Sequence, residues 1–169
     1  MKSILLFLFI LSAPLCGVAQ NSGEIASSEI TFVYLSNDVD GSVSGFTSDS
    51  RIDLENPSNS VFKGSVATET IKTGNFLRDW SIRGGKYFDV DTYPTMSFES
   101  TSVSADAEGW KVTGDLTIKK TTKPITINFT RNGNKLTGTT TLYSSDFGIN
   151  VKKKKEDNKV KVTLVFQLK

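Results

Sequence analysis

With 20 Lys and Arg against 18 Asp and Glu in 169 residues, the chain lacks the excess positive charge that a nucleic-acid partner requires. It has no histidine, which excludes a Ser-His-Asp triad, a histidine base and a histidine metal ligand. The one cysteine, Cys16, falls in a segment read below as removed, so thiol catalysis, cysteine-based zinc sites and disulfides are excluded from the mature chain.

Residues 1–19 read as a secretory signal. Lys2 precedes an apolar run over residues 4–11 that is too short to span a bilayer, and Gly17, Val18 and Ala19 supply the small residues of a cleavage site after Ala19. Leu15 stands where a lipoprotein signal at Cys16 would need a small residue, so a cleaved periplasmic or secreted protein is expected. Residues 20–28 are polar enough to be a loose N-terminal tail, and residues 29–169 suffice for one domain with a sizeable interior.

From there period-two alternation dominates. Apolar side chains alternate with polar ones at Ile30, Phe32 and Tyr34, then at Phe62, Gly64 and Val66, and at Met96 and Phe98. The clearest run is Trp110, Val112, Gly114, Leu116 and Ile118; it is followed by Ile125, Ile127 and Phe129, by Leu136 through Leu142, and by Val160 through Leu168. Asp40-Gly41, Asn56-Pro57, Glu108-Gly109 and Asn132-Gly133 punctuate these segments as turns. One stretch departs from the pattern. Over residues 73–85, Phe76, Leu77, Trp80 and Ile82 fall at helical spacing, with Asn75 or Thr73 as N-cap and Gly84-Gly85 as the stop. About eight or nine strands with one apolar face either close into a barrel or pack as a sandwich.

Two motif blocks go beyond the generic pattern. The first holds Gly74-Asn75, Arg78-Asp79, Tyr87-Phe88-Asp89-Val90 and Tyr93-Pro94; the second is Gly114-Asp115-Leu116-Thr117-Ile118-Lys119 followed by Thr122-Lys123-Pro124-Ile125. In order and spacing they resemble the YceI-like family, over residues 30–143. Three positions depart from the family's pattern: Ser27-Ser28 stands in place of a His-Ser pair, Lys120-Thr121 in place of Gly-Val, and Trp80 in place of a histidine. The resemblance implies an all-β, eight-stranded antiparallel lipocalin-like barrel. It also implies a binding protein without enzymatic activity or cofactor, which holds an isoprenoid-type lipid such as a polyprenyl quinone or phosphate in a central apolar tunnel. Such a protein would store, shield or transport that lipid in the bacterial envelope, with transient membrane contact and a homodimer both left open.

On that implication Phe62, Phe76, Trp80, Phe88, Met96, Phe98, Trp110, Leu116, Ile127 and Phe129 are the candidate tunnel wall, although each also reads as ordinary core. Arg78 is the candidate head-group contact; alternatively Arg78 and Asp79 form a structural pair seating the helix. Gly64, Gly114 and Gly138 occupy apolar phases of their strands, where a missing side chain either leaves room for a ligand or marks a bend. The lysines of residues 152–155 read as a solvated hairpin tip or as an attraction for anionic lipid. A filled-core interaction module and a head-group enzyme acting through Arg78, Asp79 or Lys123 are the alternatives.

Three motif matches are set aside. Ser60-Val61-Phe62-Lys63 and Lys72-Thr73-Gly74 imitate penicillin-recognising elements but lie too close together, with no S-D-N between them. Residues 37–41 imitate a calcium loop whose last ligand position holds Thr47 in place of glutamate. Asn128-Phe129-Thr130 is a glycosylation sequon inside a strand.

Overall fold

The computed structural model describes residues 22–169; the secretory signal, Cys16 and the Ala19 cleavage site lie outside the described residues. The chain runs β1 (Ser22–Gly23), β2 (Ile25–Tyr34), β3 (Val39–Val43), β4 (Thr47–Ser48), β5 (Ile52–Asp53), β6 (Lys63–Ala67), α1 (Phe76–Arg83), β7 (Thr95–Asp106), β8 (Gly109–Ile118), β9 (Thr121–Asn132), β10 (Lys135–Tyr143) and β11 (Lys159–Leu168). Nine strands pair antiparallel in one curled sheet, in the order β3-β2-β11-β10-β9-β8-β7-β6-β4. The segment over residues 20–28, read as a loose tail, is structured from Ser22 onward: β1 pairs with β5, and β2 begins at Ile25.

The edges of the sheet meet because β3 and β4 are two halves of one bent strand, β3 pairing with β2 and β4 with β6. Counted as one strand they give eight; counted apart they give nine. The bend is at Gly45, whose φ of 69° suits glycine and where a Cβ would lie 2.9 Å from the Ala67 Cβ. Between the two halves, Ser42 and Lys72 exchange backbone hydrogen bonds of 2.9 and 3.0 Å, and Ala67 N–H donates to the Ser44 carbonyl at 3.2 Å. This short seam holds the barrel shut.

Of the expected turns, Asn132-Gly133 joins β9 to β10 with Gly133 at φ 58°. Asp40-Gly41 does not turn; it lies inside β3 opposite Val33 and Phe32. Gly41 is there because a Cβ would run into the Phe32 ring, which lies over it, and would also meet Lys72 O at 2.6 Å. The turn falls instead at residues 35–38, with Asp38 at φ 50°.

The inward row of each strand splits along the barrel axis. At the end holding the β9–β10 turn, Ile52, Phe62, Trp110, Phe129, Leu136, Phe166 and Leu168 pack as a closed core. Its backbone is a line of aromatic rings: Phe46 stacks on Phe166 at 5.2 Å, Phe166 on Phe129 at 5.9 Å and Phe129 on Phe62 at 5.1 Å, with Trp110 edge-on to Phe62 at 6.3 Å. The strand glycines make this stack fit. A Cβ on Gly138 would run into the Phe129 ring, and one on Gly64 would meet the Thr47 carbonyl at 2.6 Å and the Phe46 ring at 2.8 Å, whereas Gly114 faces the β7 bulge between Ser100 and Ser102, where a Cβ would run into backbone as well as the Phe98 ring. Gly138 and Gly64 therefore leave room for aromatic rings, and Gly114 also for a bent neighbouring strand.

Helix α1 sits across the opposite end and is held by polar contacts. Asn75 caps it, its side chain accepting from Arg78 N–H at 3.0 Å. Asp79 accepts from the Thr73 N–H at 2.7 Å and from the Thr73 hydroxyl at 2.5 Å. Arg78 donates from Nε to that same hydroxyl at 2.7 Å and from Nη2 to the Thr73 carbonyl at 2.8 Å. Arg78 and Asp79 are thus coupled through Thr73. The Thr73 hydrogen bonds hold the Asp79 carboxyl below its ordinary range, against the opposing effect of desolvation.

Gly138→Ala is expected to cost about 1–3 kcal/mol in urea unfolding, and most of that cost should vanish in a Phe129→Ala background, where the ring that blocks the methyl is gone. Equal costs in both backgrounds would show that the strand backbone sets the glycine requirement. Asp79 carries a depressed folded pKa, so its contribution is present above the unfolded carboxyl value near 3.9 and lost as pH falls through the folded value. The stability gap between the parent and Asp79→Asn should therefore be widest near neutral pH and close in acid; a gap constant with pH would place the effect in shape and not in charge.

Candidate functional site

Above the aromatic stack the interior is open. An apolar cavity of about 380 Å³ occupies the half of the barrel nearer α1, so the central apolar tunnel expected takes the form of a pocket closed by core at the other end. Phe46, Phe98, Ile127 and Leu164 lie at its floor, where they also pack on the closed core. Its wall comes from the inward phases of the strands: Ile30 and Phe32 of β2, Val43 of β3, Met96 of β7, Leu116 and Ile118 of β8, Leu142 of β10 and Val160 and Val162 of β11. Its rim comes from outside the sheet and includes Asn37, Arg78, Ile82, Tyr87, Phe88 and Val151.

The rim is built by the first motif block. Thr68, almost wholly buried, receives the chain after the helix by donating N–H to the Pro94 carbonyl at 2.9 Å and its hydroxyl to the Tyr93 carbonyl at 2.7 Å. Phe88 N–H donates to Ile82 O at 3.0 Å, which brings Phe88 beside Ile71 and Met96. Lys119, in the left-handed region at φ 55°, reaches across to donate from Nζ to the Tyr87 carbonyl at 2.7 Å. Tyr87, Phe88, Tyr93, Pro94 and Lys119 of the motifs therefore hold the mouth in shape.

Three polar side chains facing the cavity, Tyr34, Thr140 and Ser144, are already occupied by protein partners. The Tyr34 hydroxyl donates to Asp157 O at 2.6 Å, and burial, with the Asp157 charge second, pushes its phenol above the ordinary value. The Thr140 hydroxyl donates to Thr126 O at 2.7 Å and the Ser144 hydroxyl to Ile149 O at 2.8 Å. What remains is a mostly hydrocarbon wall, with the side chains of Asn37, Ser81 and Tyr87 and the Arg78 guanidinium, whose Nη1 has no hydrogen-bond acceptor among the described residues, at the rim. Such a lining desolvates an apolar chain and offers one cation at the entrance. Among the described residues no cluster of acidic side chains is arranged to hold a metal ion.

The structure sorts the candidate residues by depth. Phe88, Met96, Phe98, Leu116, Ile127 and Arg78 share the cavity. Phe62, Trp110 and Phe129 fill the floor as closed core, because alternation states that a side chain points inward but not at which height. Phe76 and Trp80 stand in solvent on the outer face of α1. Sequence reasoning did not single out Ile71, Val43 and Val160 as wall residues, and it took the lysines of residues 152–155 for a hairpin tip without seeing the folded segment over residues 144–158.

That segment is a folded rim element where a simple hairpin tip was expected. Phe147 and Ile149 tuck against Ile118, and Asn158, fully buried, organises the rest. Asn158 Oδ1 accepts from the N–H groups of Val151 and Lys152 at 2.9 Å each, while Nδ2 donates to the carbonyls of Lys152 at 2.9 Å and Lys154 at 2.7 Å. A lone asparagine in a lysine run carries no periodic signal.

Comparison with known proteins agrees with this architecture. The YceI-like domain family profile matches residues 23–168. A UPF0312 protein of Pseudomonas paraeruginosa is 37% identical over 123 residues, which cover 67% of this chain and 61% of the relative; one from Yersinia pestis is 35% identical over 102 residues, covering 60% and 47%. The chain thus spans about half to three-fifths of those relatives' length. Among solved structures, BcnA of Burkholderia cenocepacia superposes with a TM-score of 0.66 at 24% identity, covering 86% of this chain and 98% of that one. A polyisoprenoid binding domain from Saccharophagus degradans superposes with a TM-score of 0.52 at 15% identity, covering 88% and 97%. At such identities the structures establish the fold alone, while the profile spans nearly every described residue: the chain belongs to the YceI-like domain family.

Proposed function

We propose that this protein binds a single isoprenoid-type lipid, its tail in the apolar cavity and its head group near Arg78, and that it stores, shields or transports that lipid in the bacterial envelope. The observation that carries this reading is a chamber lined mostly by hydrocarbon, whose polar groups at Tyr34, Thr140 and Ser144 are already satisfied, so that its wall rewards an apolar guest. The description of the Saccharophagus relative as a polyisoprenoid binding domain supports the ligand class. The secretory reading of residues 1–19 supports an envelope or secreted location. Binding is favoured over catalysis because the sequence offers no histidine and, among the described residues, the mouth gathers no paired acid and base.

Cavity size limits the tail. At roughly 30 Å³ for each water-sized group, a volume of about 380 Å³ seats about a dozen carbon-sized groups. A polyprenyl chain of about 40 carbons, each methylene worth about 0.8 kcal/mol against water, would leave much of its length outside the mouth. A short prenyl tail fits whole. Transfer from a membrane gains little, because the tail has already left water there, so exchange is reversible and governed by fit and head group.

Organic extraction of the native protein followed by mass spectrometry is expected to yield a lipid with a branched apolar tail. Val162→Trp, which places an indole in the middle of the chamber, should lower its occupancy more than about tenfold while leaving the floor core intact, since it displaces several methylenes at about 0.8 kcal/mol each. No lipid in the parent protein, or equal loading in the variant, would favour a structural module over a carrier.

A further inference from the structure

Helix α1 is turned the wrong way for an ordinary surface helix. Its three largest apolar side chains, Phe76 at 81% exposure, Leu77 at 72% and Trp80 at 73%, all point into solvent, while its polar residues Arg78 and Asp79 are tied down to Thr73. Three such groups within two turns form a contiguous apolar patch, which soluble surfaces rarely keep without use. The patch lies at the cavity mouth, because Arg78, Ser81 and Ile82 of the same helix line that cavity.

Across the mouth stands the 144–158 segment. Val151 lines the cavity and is itself 43% exposed. Asn158 draws the backbone of Val151, Lys152 and Lys154 inward, and this leaves the side chains of Lys152, Lys153 and Lys154 in water. Lys155 is taken by Asp146 at 2.6 Å, but those three lysines make no salt bridge among the described residues. Glu156, Asp157 and Asp38 are also exposed at this end, so the attraction is local to the lysine run.

We propose that this end of the barrel docks on an anionic phospholipid surface, with Phe76, Leu77 and Trp80 entering the headgroup region and Lys152, Lys153 and Lys154 meeting lipid phosphates. A short helix with bulky apolar groups on one face, beside an unpaired cationic run, matches interfacial membrane binding. Choosing a lipid surface over a protein partner rests on the lipid-carrier reading: a cavity that takes its cargo from a bilayer gains from having its mouth held there. The two hypotheses fail separately, because docking is measured on vesicles free of isoprenoids and cargo is measured on protein never exposed to vesicles.

The two tryptophans supply the probe, since Trp80 is exposed and Trp110 is buried in the core. The full mature chain is titrated with phosphatidylcholine vesicles containing a minority of phosphatidylglycerol. We expect cosedimentation and a blue shift in emission that disappears in Trp80→Phe. Phe76→Ser and Leu77→Ser should each weaken vesicle affinity by about tenfold without altering thermal unfolding, because both side chains are solvated in the free protein. Charge removal at Lys152, Lys153 and Lys154 should cost about fivefold per lysine on the anionic vesicles and nothing on phosphatidylcholine alone. A parent protein that neither sediments nor shifts, or serine variants that bind as tightly as the parent, would overturn the proposal. So would concentration-dependent dimerisation abolished by the same serine substitutions, which would assign the patch to a second copy of the chain.

Discussion

The row of stacked rings formed by Phe46, Phe166, Phe129 and Phe62 is the interaction on which the rest of the barrel depends. A curled sheet of this size has a single apolar interior face, and that face must be filled, or left hollow at the cost of lost contacts. Here the two solutions divide the length between them. Phenylalanine rings laid against Gly64 and Gly138 fill one end to core density, and the same inward phase, carried by smaller side chains such as Val43, Val66, Val160 and Val162, leaves the other end open. Stability and capacity are thereby assigned to different stretches of the same strands. Phe46 belongs to both, as the top of the stack and the floor of the chamber.

The rim obeys a different economy of forces. Helix α1 has eight residues, too few to be stable by propensity, and it presents little apolar surface to the sheet beyond Ile82. It is fixed by local hydrogen bonds: the Asn75 cap, and the Thr73 hydroxyl that donates to Asp79 while accepting from Arg78. Asn158 does the same for the facing segment. Because polar contacts hold α1, Phe76, Leu77 and Trp80 are released from packing duty and stand outward, while the facing segment also buries Phe147 and Ile149. An apolar anchoring of α1 would have consumed Phe76 and Trp80.

This division explains which parts of the protein were legible in the sequence. Alternation located β2, β6 through β11 and their inward residues, because period two is a property of each strand alone. It could not place Phe62 and Trp110 at the floor and Met96 at the wall, since height along the barrel depends on register between strands distant in sequence. Asp40-Gly41 misled because the dipeptide is a good turn former, whereas the constraint on Gly41 comes from the Phe32 ring on a neighbouring strand. In α1 the helical spacing was correctly read, but the inference that its apolar face turns inward failed, because hydrogen bonds to Thr73 decide the orientation. The motif block over residues 74–94 was visible as a pattern long before its role was, as its members act mainly through backbone carbonyls such as those of Tyr87, Tyr93 and Pro94.

A barrel filled at one end is also one whose folding and loading are separable. A chamber lined by hydrocarbon offers water few partners, so its unliganded form gains little from hydration and keeps its shape only if something else maintains it. The closed core does so below, and the Thr73 and Asn158 networks do so above. A guest then enters a site already formed, contributing burial of its own tail without having to order the wall. If the tail instead had to complete the core, release would unfold the carrier, and exchange with a membrane, where the tail is equally dry, would be unfavourable by that cost. Under the proposed carrier function, preformed hollowness is what would make reversible transfer energetically accessible to a chain this small.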